Sequence, residues 1–236
     1  MIKKIWGFSN QLKYGIIFLI LIVTSQQLFA SKSQNDTITK RPLSIYIRPV
    51  AMLASFPSFQ LGVDYELPVG ARFGLVLGYG SYMSARVPDA EVVDYSLYEF
   101  HPQIQIFISK KEAKRRFALG VEFVYVDISS HLRDGMYNKS TNQLVTFDRA
   151  TYTENRRLFH VLASFVPKPI GHFLFEAYIG VGYGSRYVHY NNVENESPYY
   201  GGSSWLSIPS AKSNDRSIGE QGGLSGTIGL KIGYHF

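Results

Sequence analysis

The stretch "LSGTIGLKIGYHF", residues 224–236, alternates strictly. Leu224, Gly226, Ile228, Leu230, Ile232, Tyr234 and Phe236 fall on one face, and Ser225, Thr227, Gly229, Lys231, Gly233 and His235 on the other. A period of two is the side-chain period of a strand, not of a helix. The pattern recurs along the chain, and no long segment shows helical periodicity; the charged run "SKKEAKRR" reads as a turn. The chain is therefore predicted to be all-β.

The repeats are close to one length. "PLSIYIRPV" sets Leu43, Ile45 and Ile47 against Ser44, Tyr46 and Arg48. "SFQLGVDYELPVG" sets Phe59, Leu61, Val63, Tyr65 and Leu67 against Gln60, Gly62, Asp64 and Glu66. "ARFGLVLGYGSY" sets Phe73, Leu75, Leu77 and Tyr79 against Arg72, Gly74, Val76, Gly78 and Gly80. "SLYEFHPQIQIFIS" sets Tyr98, Phe100, Ile104, Ile106 and Ile108 against Glu99, His101, Gln103 and Gln105. "RFALGVEFVYVD" sets Phe117, Leu119, Val121, Phe123 and Tyr125 against Ala118, Gly120 and Glu122. In "RRLFHVLASFV" the greasy face is taken as Phe159, Val161, Ala163 and Phe165. "HFLFEAYIGVGYGSRY" sets Phe173, Phe175, Ala177, Ile179, Val181 and Tyr183 against Glu176, Tyr178, Gly180, Gly182 and Gly184. With the last stretch there are about eight strands, each near the roughly 9–11 residues that cross a bilayer when tilted.

The polar face decides the environment. It is glycine-rich and carries single ionisable groups: Arg48, Asp64, Glu66, Arg72, Glu99, His101, Glu122, Glu176 and Lys231. A soluble barrel would turn its bulky apolar residues inward and stud its outside with Lys and Glu. Here the bulky face suits lipid, with aromatics such as Phe73 and Tyr79, or Phe173 and Tyr183, bracketing strands. The small face suits a narrow lumen, where charges must pair. The predicted fold is a closed antiparallel up-and-down transmembrane β-barrel over residues 42–236. Connector lengths alternate in support. "PVG", "KKEAKRR" and "PKPIG" are short, and 83–95, 128–153 and 187–221 are read as long polar loops; only the upper connection around "AMLASFP" is brief. Short turns on one side and long loops on the other mark bacterial outer-membrane barrels.

The N-terminus reads as a targeting signal. Lys3, Lys4 and Lys13 precede the apolar run "IIFLILIV", and cleavage is placed after Ala30. The run falls short of the roughly 20 residues of a membrane-spanning helix. Residues 1–30 are assigned to the signal peptide and 31–41 to a periplasmic lead-in. Removing the signal takes three lysines and no acid, leaving 21 of the 24 basic residues against 18 acidic ones. The sequence pI of 9.3 thus owes much to the discarded segment, and no basic stripe points to nucleic acid. The absence of cysteine excludes disulfides, thiolate metal sites and a cysteine nucleophile.

The ending "GLKIGYHF" resembles the C-terminal signature of bacterial outer-membrane proteins, alternating hydrophobics that run to a final Phe. The mature chain looks like a small barrel of the OmpA/OmpX type, and strands such as "YIGVGYGSRY" are similar to the Bacteroidetes outer-membrane β-barrel families. The resemblance implies a place in the cell outer membrane after export, in contact with lipid and lipopolysaccharide. It implies that Leu230, Ile232, Tyr234 and Phe236 form the signal read by the insertion machinery.

Chemistry-bearing motifs are few. "GVGYG" (180–184) is followed by no helix that could hold phosphate. His101, His160, His189 and His235 lack metal-ligand spacing. Some eight-stranded barrels are lipid A deacylases with a serine two residues after the catalytic histidine; here those positions are Asn191 and Leu162. No catalytic residue, cofactor or metal is therefore assigned. The charges Arg48, Asp64, Glu66, Arg72, Glu99, Glu122, Glu176 and Lys231 are expected to pair as a plug inside the barrel. Tyr199, Tyr200 and Trp205, among small polar residues, have the composition of a recognition loop, which a plain surface loop shares. The expectation is a monomeric, non-enzymatic barrel in surface binding, adhesion or envelope integrity, its extracellular ligand unknown. The alternatives are a lipid A-modifying hydrolase on the same scaffold and an accessory barrel of a secretion system.

Overall fold

The computed structural model describes residues 43–53, 56–81, 90–109, 115–139, 143–168, 170–199 and 217–236. The chain divides into two units, Met1–Lys40 and Arg41–Phe236, and all of these residues belong to the second. The expected signal peptide, the lead-in, Tyr200 and Trp205 lie outside the described residues.

The alternating stretches become strands β1 (Leu43–Ile47), β2 (Phe59–Glu66), β3 (Ala71–Ser81), β4 (Glu91–Phe107), β5 (Arg115–Asn138), β6 (Leu144–Pro167), β7 (Phe173–Glu194), β8 (Ser197–Pro198) and β9 (Gly219–His235). A 3-10 helix, Pro49–Leu53, follows β1. Each large strand pairs antiparallel with the next, and β9 pairs back onto β1. Eight strands thus close a ring, and β8 is a two-residue addition to β6. Pairing steps from His235 through Ser44, Asp64, Gly74, Gln103, Glu122, His160 and Gly182 back to β9 at Ser225, ten residues before the start. Such a stagger is the shear that tilts the strands of a closed barrel.

The faces fall as the alternation predicts. Phe59, Leu61, Phe73, Leu77, Ile104, Ile106, Phe117, Leu119, Phe159, Val161, Phe173, Ile179 and Val181 are all exposed on the outside. Ser44, Asp64, Arg72, Gln103, Gln105, Glu122, Glu176 and Lys231 are buried within. This inversion of a soluble protein's polarity belongs with hydrocarbon outside, so the fold is that of a transmembrane barrel.

Above the apolar belt the polarity inverts again, and this corrects the reading of the long connectors. Residues 128–138 and 144–153 are strand, not loop. They belong to the β5–β6 hairpin, paired continuously from Arg115↔Pro167 to Arg133↔Arg149 and onward to Asn138↔Leu144. Likewise β4 begins at Glu91, inside the expected 83–95 loop, and β7 runs to Glu194. On β5 the outward residues change from Phe117–Tyr125 type to Asp127, Ser129, His131 and Arg133, while the inward ones become Val124, Val126, Ile128 and Leu132. The strand continues, but its greasy face now points in. The extension is built like a soluble sheet around its own core of Tyr95, Leu97, Val126, Ile128, Leu132, Tyr137, Val145, Phe147, Tyr152, Val188 and Tyr190. Tyr137 stacks on Tyr190 at 4.6 Å, and Phe56, from the brief upper connection, stacks on Tyr152 at 6.3 Å.

Among the described residues, one part of the wall is incomplete. β1 pairs with β9 only from Ser44↔His235 to Ile47↔Ile232. Above that level, among the described residues, no strand pairs with β9 on this side, and the 3-10 helix lies beside it instead.

Candidate functional site

Inward positions on six strands, with Arg48 just past the end of β1, carry the expected charges. At the centre, Lys231 Nζ lies 3.1 Å from Asp64 Oδ2 and 3.4 Å from Glu176 Oε1. Arg72 Nη2 lies 2.6 Å from Glu176 Oε2, and its Nε lies 3.6 Å from Asp64 Oδ2. Two cations thus share two carboxylates, and all four groups are buried. Burying unpaired ions would cost several kcal/mol each; this arrangement leaves no net charge. Tyr46 donates to Asp64 at 2.9 Å, and Gln103 donates to Asp64 at 2.8 Å and to Tyr46 at 2.7 Å, occupying the remaining lone pairs. Glycine makes the room: a Cβ at Gly74 would meet Asp64 and Gln103.

A second layer lies beside the first. Arg48 Nη1 pairs with Glu122 Oε1 at 2.8 Å, its Nη2 donates to Gln103 at 3.1 Å, and its guanidinium stands 4.8 Å from the Tyr178 ring centre. Gln103 links the two layers. His101 Nδ1 and His160 Nδ1 flank Glu122 at 3.6 and 3.7 Å. Glu99 accepts from Ser58 at 3.0 Å and from Gln60. At the opposite end, Arg116 grips Glu66 with a two-pronged contact of 2.8 and 3.0 Å. The eight charges named from sequence therefore divide into three places rather than one cluster: the central quartet, Arg48 and Glu122 with Glu99 joined to them through His101, and Glu66.

Sequence reasoning passed over Tyr46, Gln103 and Gln105, which carry the hydrogen bonds between the ions, and Tyr178, whose ring faces Arg48. Their inward parity was visible; their being polar rather than charged hid them. It also passed over Ser225. No serine stands two residues after His160, yet Ser225 of β9 places its Oγ 2.9 Å from His160 Nε2, reaching past Gly182 of the intervening β7. A partner 65 residues away leaves no local motif.

The terminal aromatics form an outer cluster. Tyr234 stacks on His172 at 4.9 Å and meets Phe236 edge-on at 4.9 Å, while Leu230 and Ile232 share its outward face. Tyr199 is exposed beside β6, donating its backbone N–H to Leu144 O at 3.0 Å. Among the described residues no group of three His, Asp or Glu side chains could hold a metal ion.

These features define the class: a transmembrane β-barrel of eight strands whose inside is occupied by paired ions. No family model matches the chain, and no curated protein matches it. Among solved structures it is similar to that of Acinetobacter baumannii CarO, at 9% identity over 83% of this chain and 98% of that one, with a TM-score of 0.40. The fold assignment rests on the strand pairing and the faces, not on that likeness.

Proposed function

We propose that this chain is a non-enzymatic, monomeric barrel of the bacterial outer membrane that works at the cell surface, in binding, adhesion or envelope integrity, and does not conduct. The observation that carries this reading is the stacking of two side-chain layers: the ion network across the lumen, and the aromatic core of the extension above it. Eight strands leave room for little more than side chains. The outer belt suits lipid and lipopolysaccharide, and the aromatic end of β9 suits the insertion machinery. The glycine- and tyrosine-rich strands favour the Bacteroidetes-type barrels. The extension and the loop holding Tyr199, Tyr200 and Trp205 are the surface offered to an extracellular ligand.

Two measurements test this. The refolded protein in planar bilayers should show no discrete conductance steps; stable steps would remove the plug. Cysteines at Asn142 and Gly202 should label from outside intact cells, and one at Ala113 should not. All three positions lie outside the described residues, so the test reads topology alone. Labelling at Ala113 would invert the orientation.

A second reading, an acyl-ester hydrolase acting on lipid A, is favoured by the contact between His160 and Ser225. With Glu122 near Nδ1 this is the order of a serine triad. Against it, Glu122 is held by Arg48 at 2.8 Å and stands 3.7 Å from His160. A fluorophosphonate that labels Ser225, and fails to in His160→Ala, would move the protein to this class.

A further inference from the structure

The incomplete wall between β1 and β9 opens a cavity of about 340 Å³. Its mouth is apolar. Val50, Ala51 and Leu53 of the 3-10 helix form one lip and Ile228 of β9 the other. Leu53 and Ile228 are 85% and 72% exposed, and Leu224, just above, is 93% exposed. Outward residues on fully paired strands run from Leu119 at 50% to Val181 at 69%, so Leu53 and Leu224 stand well above them and Ile228 just above. That excess exposure is what a missing neighbour strand produces. The inner wall is polar: Arg48, Gln60, His101, Tyr178 and Thr227. A Cβ built on the inward-facing Gly223 would touch nothing within 4 Å, so the space continues along β9.

The chemistry changes sharply from mouth to floor. Hydrocarbon meets the lips, while the floor is walled by donor-bearing side chains. Arg48 Nε and His101 Nε2 carry no hydrogen-bond partner, with Glu99 Oε2 3.8 Å from the latter, although both residues are more than nine-tenths buried. Buried polar atoms without partners are rare and call for an explanation. Glu122 is already engaged by Arg48 Nη1, so it does not supply the missing acceptor to Nε. The volume lies at the small end of the roughly 300–1,000 Å³ of ligand cavities, enough for one chain and not for a two-chain lipid.

Resting on the membrane-barrel reading, we infer that this lateral cleft binds a single-chain long-chain carboxylate entering from the surrounding lipid. Its alkyl chain lies between the 3-10 helix and β9. Its head reaches the Arg48–His101 floor, where charge-assisted hydrogen bonds to a carboxylate exceed those to a neutral oxygen.

The test uses the full chain refolded in detergent, with native mass spectrometry as the readout and palmitate and hexadecanol as probes. Palmitate should saturate at one per barrel, and hexadecanol should bind at least ten-fold more weakly. Ala51→Trp on one lip and Ile228→Trp on the other should each weaken palmitate at least ten-fold, while Phe159→Trp, elsewhere on the belt, should not. Heat-modifiable gel migration reports independently that each variant is a folded barrel. A folded barrel that takes up palmitate without saturation, or equally in the two lip variants, overturns the cleft and leaves the membrane reading standing. Failure of the parent chain to form a heat-modifiable barrel in any detergent or bilayer overturns both.

Discussion

Lys231 and Asp64 meet at 3.1 Å in the centre of the barrel, both wholly buried, from strands separated by 167 residues of chain. The contact crosses β1, which lies between β9 and β2, and Tyr46 on β1 fills the gap beneath it with its ring 4.6 Å from Nζ. Ion pair, ring and hydroxyl therefore close the barrel at its seam.

Removing one ion from this quartet should destabilise far more than removing a surface charge. Lys231→Met leaves Asp64 and Glu176 to share Arg72, and the expected loss is about 3–5 kcal/mol. Urea unfolding of the refolded barrel measures it. A midpoint unchanged by Lys231→Met would mean that the four charges are hydrated rather than sealed.

The second reversal of polarity makes opposite demands on one strand. Leu119 and Ser129 both point outward on β5, ten residues apart. Leu119→Lys places a charge in the apolar belt and should cost roughly 2–4 kcal/mol near its middle. Ser129→Lys lies on the polar outside of the extension and should change stability by less than about 0.5 kcal/mol. The pair should be compared by unfolding in lipid bilayers of matched composition. Equal tolerance at both sites would return the chain to the soluble barrels.

The same two residues show what could be read without coordinates. The alternation of β5 was visible through Tyr125, because bulky residues kept one parity. It was lost at Asp127, where the outward face turned polar and the stretch began to look like a loop. Inward Val126, Ile128 and Leu132 kept the period of two, but they had changed roles, and a search for outward grease misses them. The lumen charges were visible because an ion opposite a greasy face is conspicuous in any strand. How they group was not, since that depends on the shear, which brings Asp64 to Lys231 and His160 to Ser225. Nor was the gap beside β9 visible: it arises because β1 stops at Ile47, where Pro49 begins a helical turn.

Glycines on neighbouring strands should behave differently. Gly182 and Gly223 both face inward, on β7 and β9. A Cβ at Gly182 would run into the carbonyl oxygen of Phe159, which belongs to the backbone of β6 and cannot rotate away. Gly182→Ala should therefore cost about 1–3 kcal/mol through overpacking. Gly223→Ala meets open space and should be tolerated. Heat-modifiable gel migration and urea midpoints distinguish them. A tolerated Gly182→Ala would show that β6 and β7 separate more easily than their pairing implies.

The extension should respond to pH at both ends of the scale, because its buried phenols and the buried carboxylate of Glu154 titrate abnormally. Burial raises the Tyr152 hydroxyl well above its ordinary value, and the adjacent Glu154 charge raises it further. Burial likewise raises Tyr190. For Glu154, burial alone would raise the carboxyl, but the hydrogen bond and charge of Arg156 at 2.6 Å, with Tyr152 and Arg186, hold it below its usual range. The signs follow from linkage. A phenol whose folded pKa is raised stabilises fully below the unfolded value of about 10, and that stability is lost as pH rises through the folded value. A carboxyl whose folded pKa is lowered stabilises above about 4.3, and that stability is lost as pH falls through the folded value. The hairpin of β5 and β6 should thus resist proteolysis evenly between about pH 5 and 10, and open above and below that window. Glu154→Gln should remove the acid limb and leave the alkaline one. Tyr152→Phe should remove one late-ionising phenolate from the absorbance titration while the belt keeps its fold. If every tyrosine titrates as one class near pH 10 with the hairpin still protected, the aromatic core is open to water and the upper of the two layers is not closed.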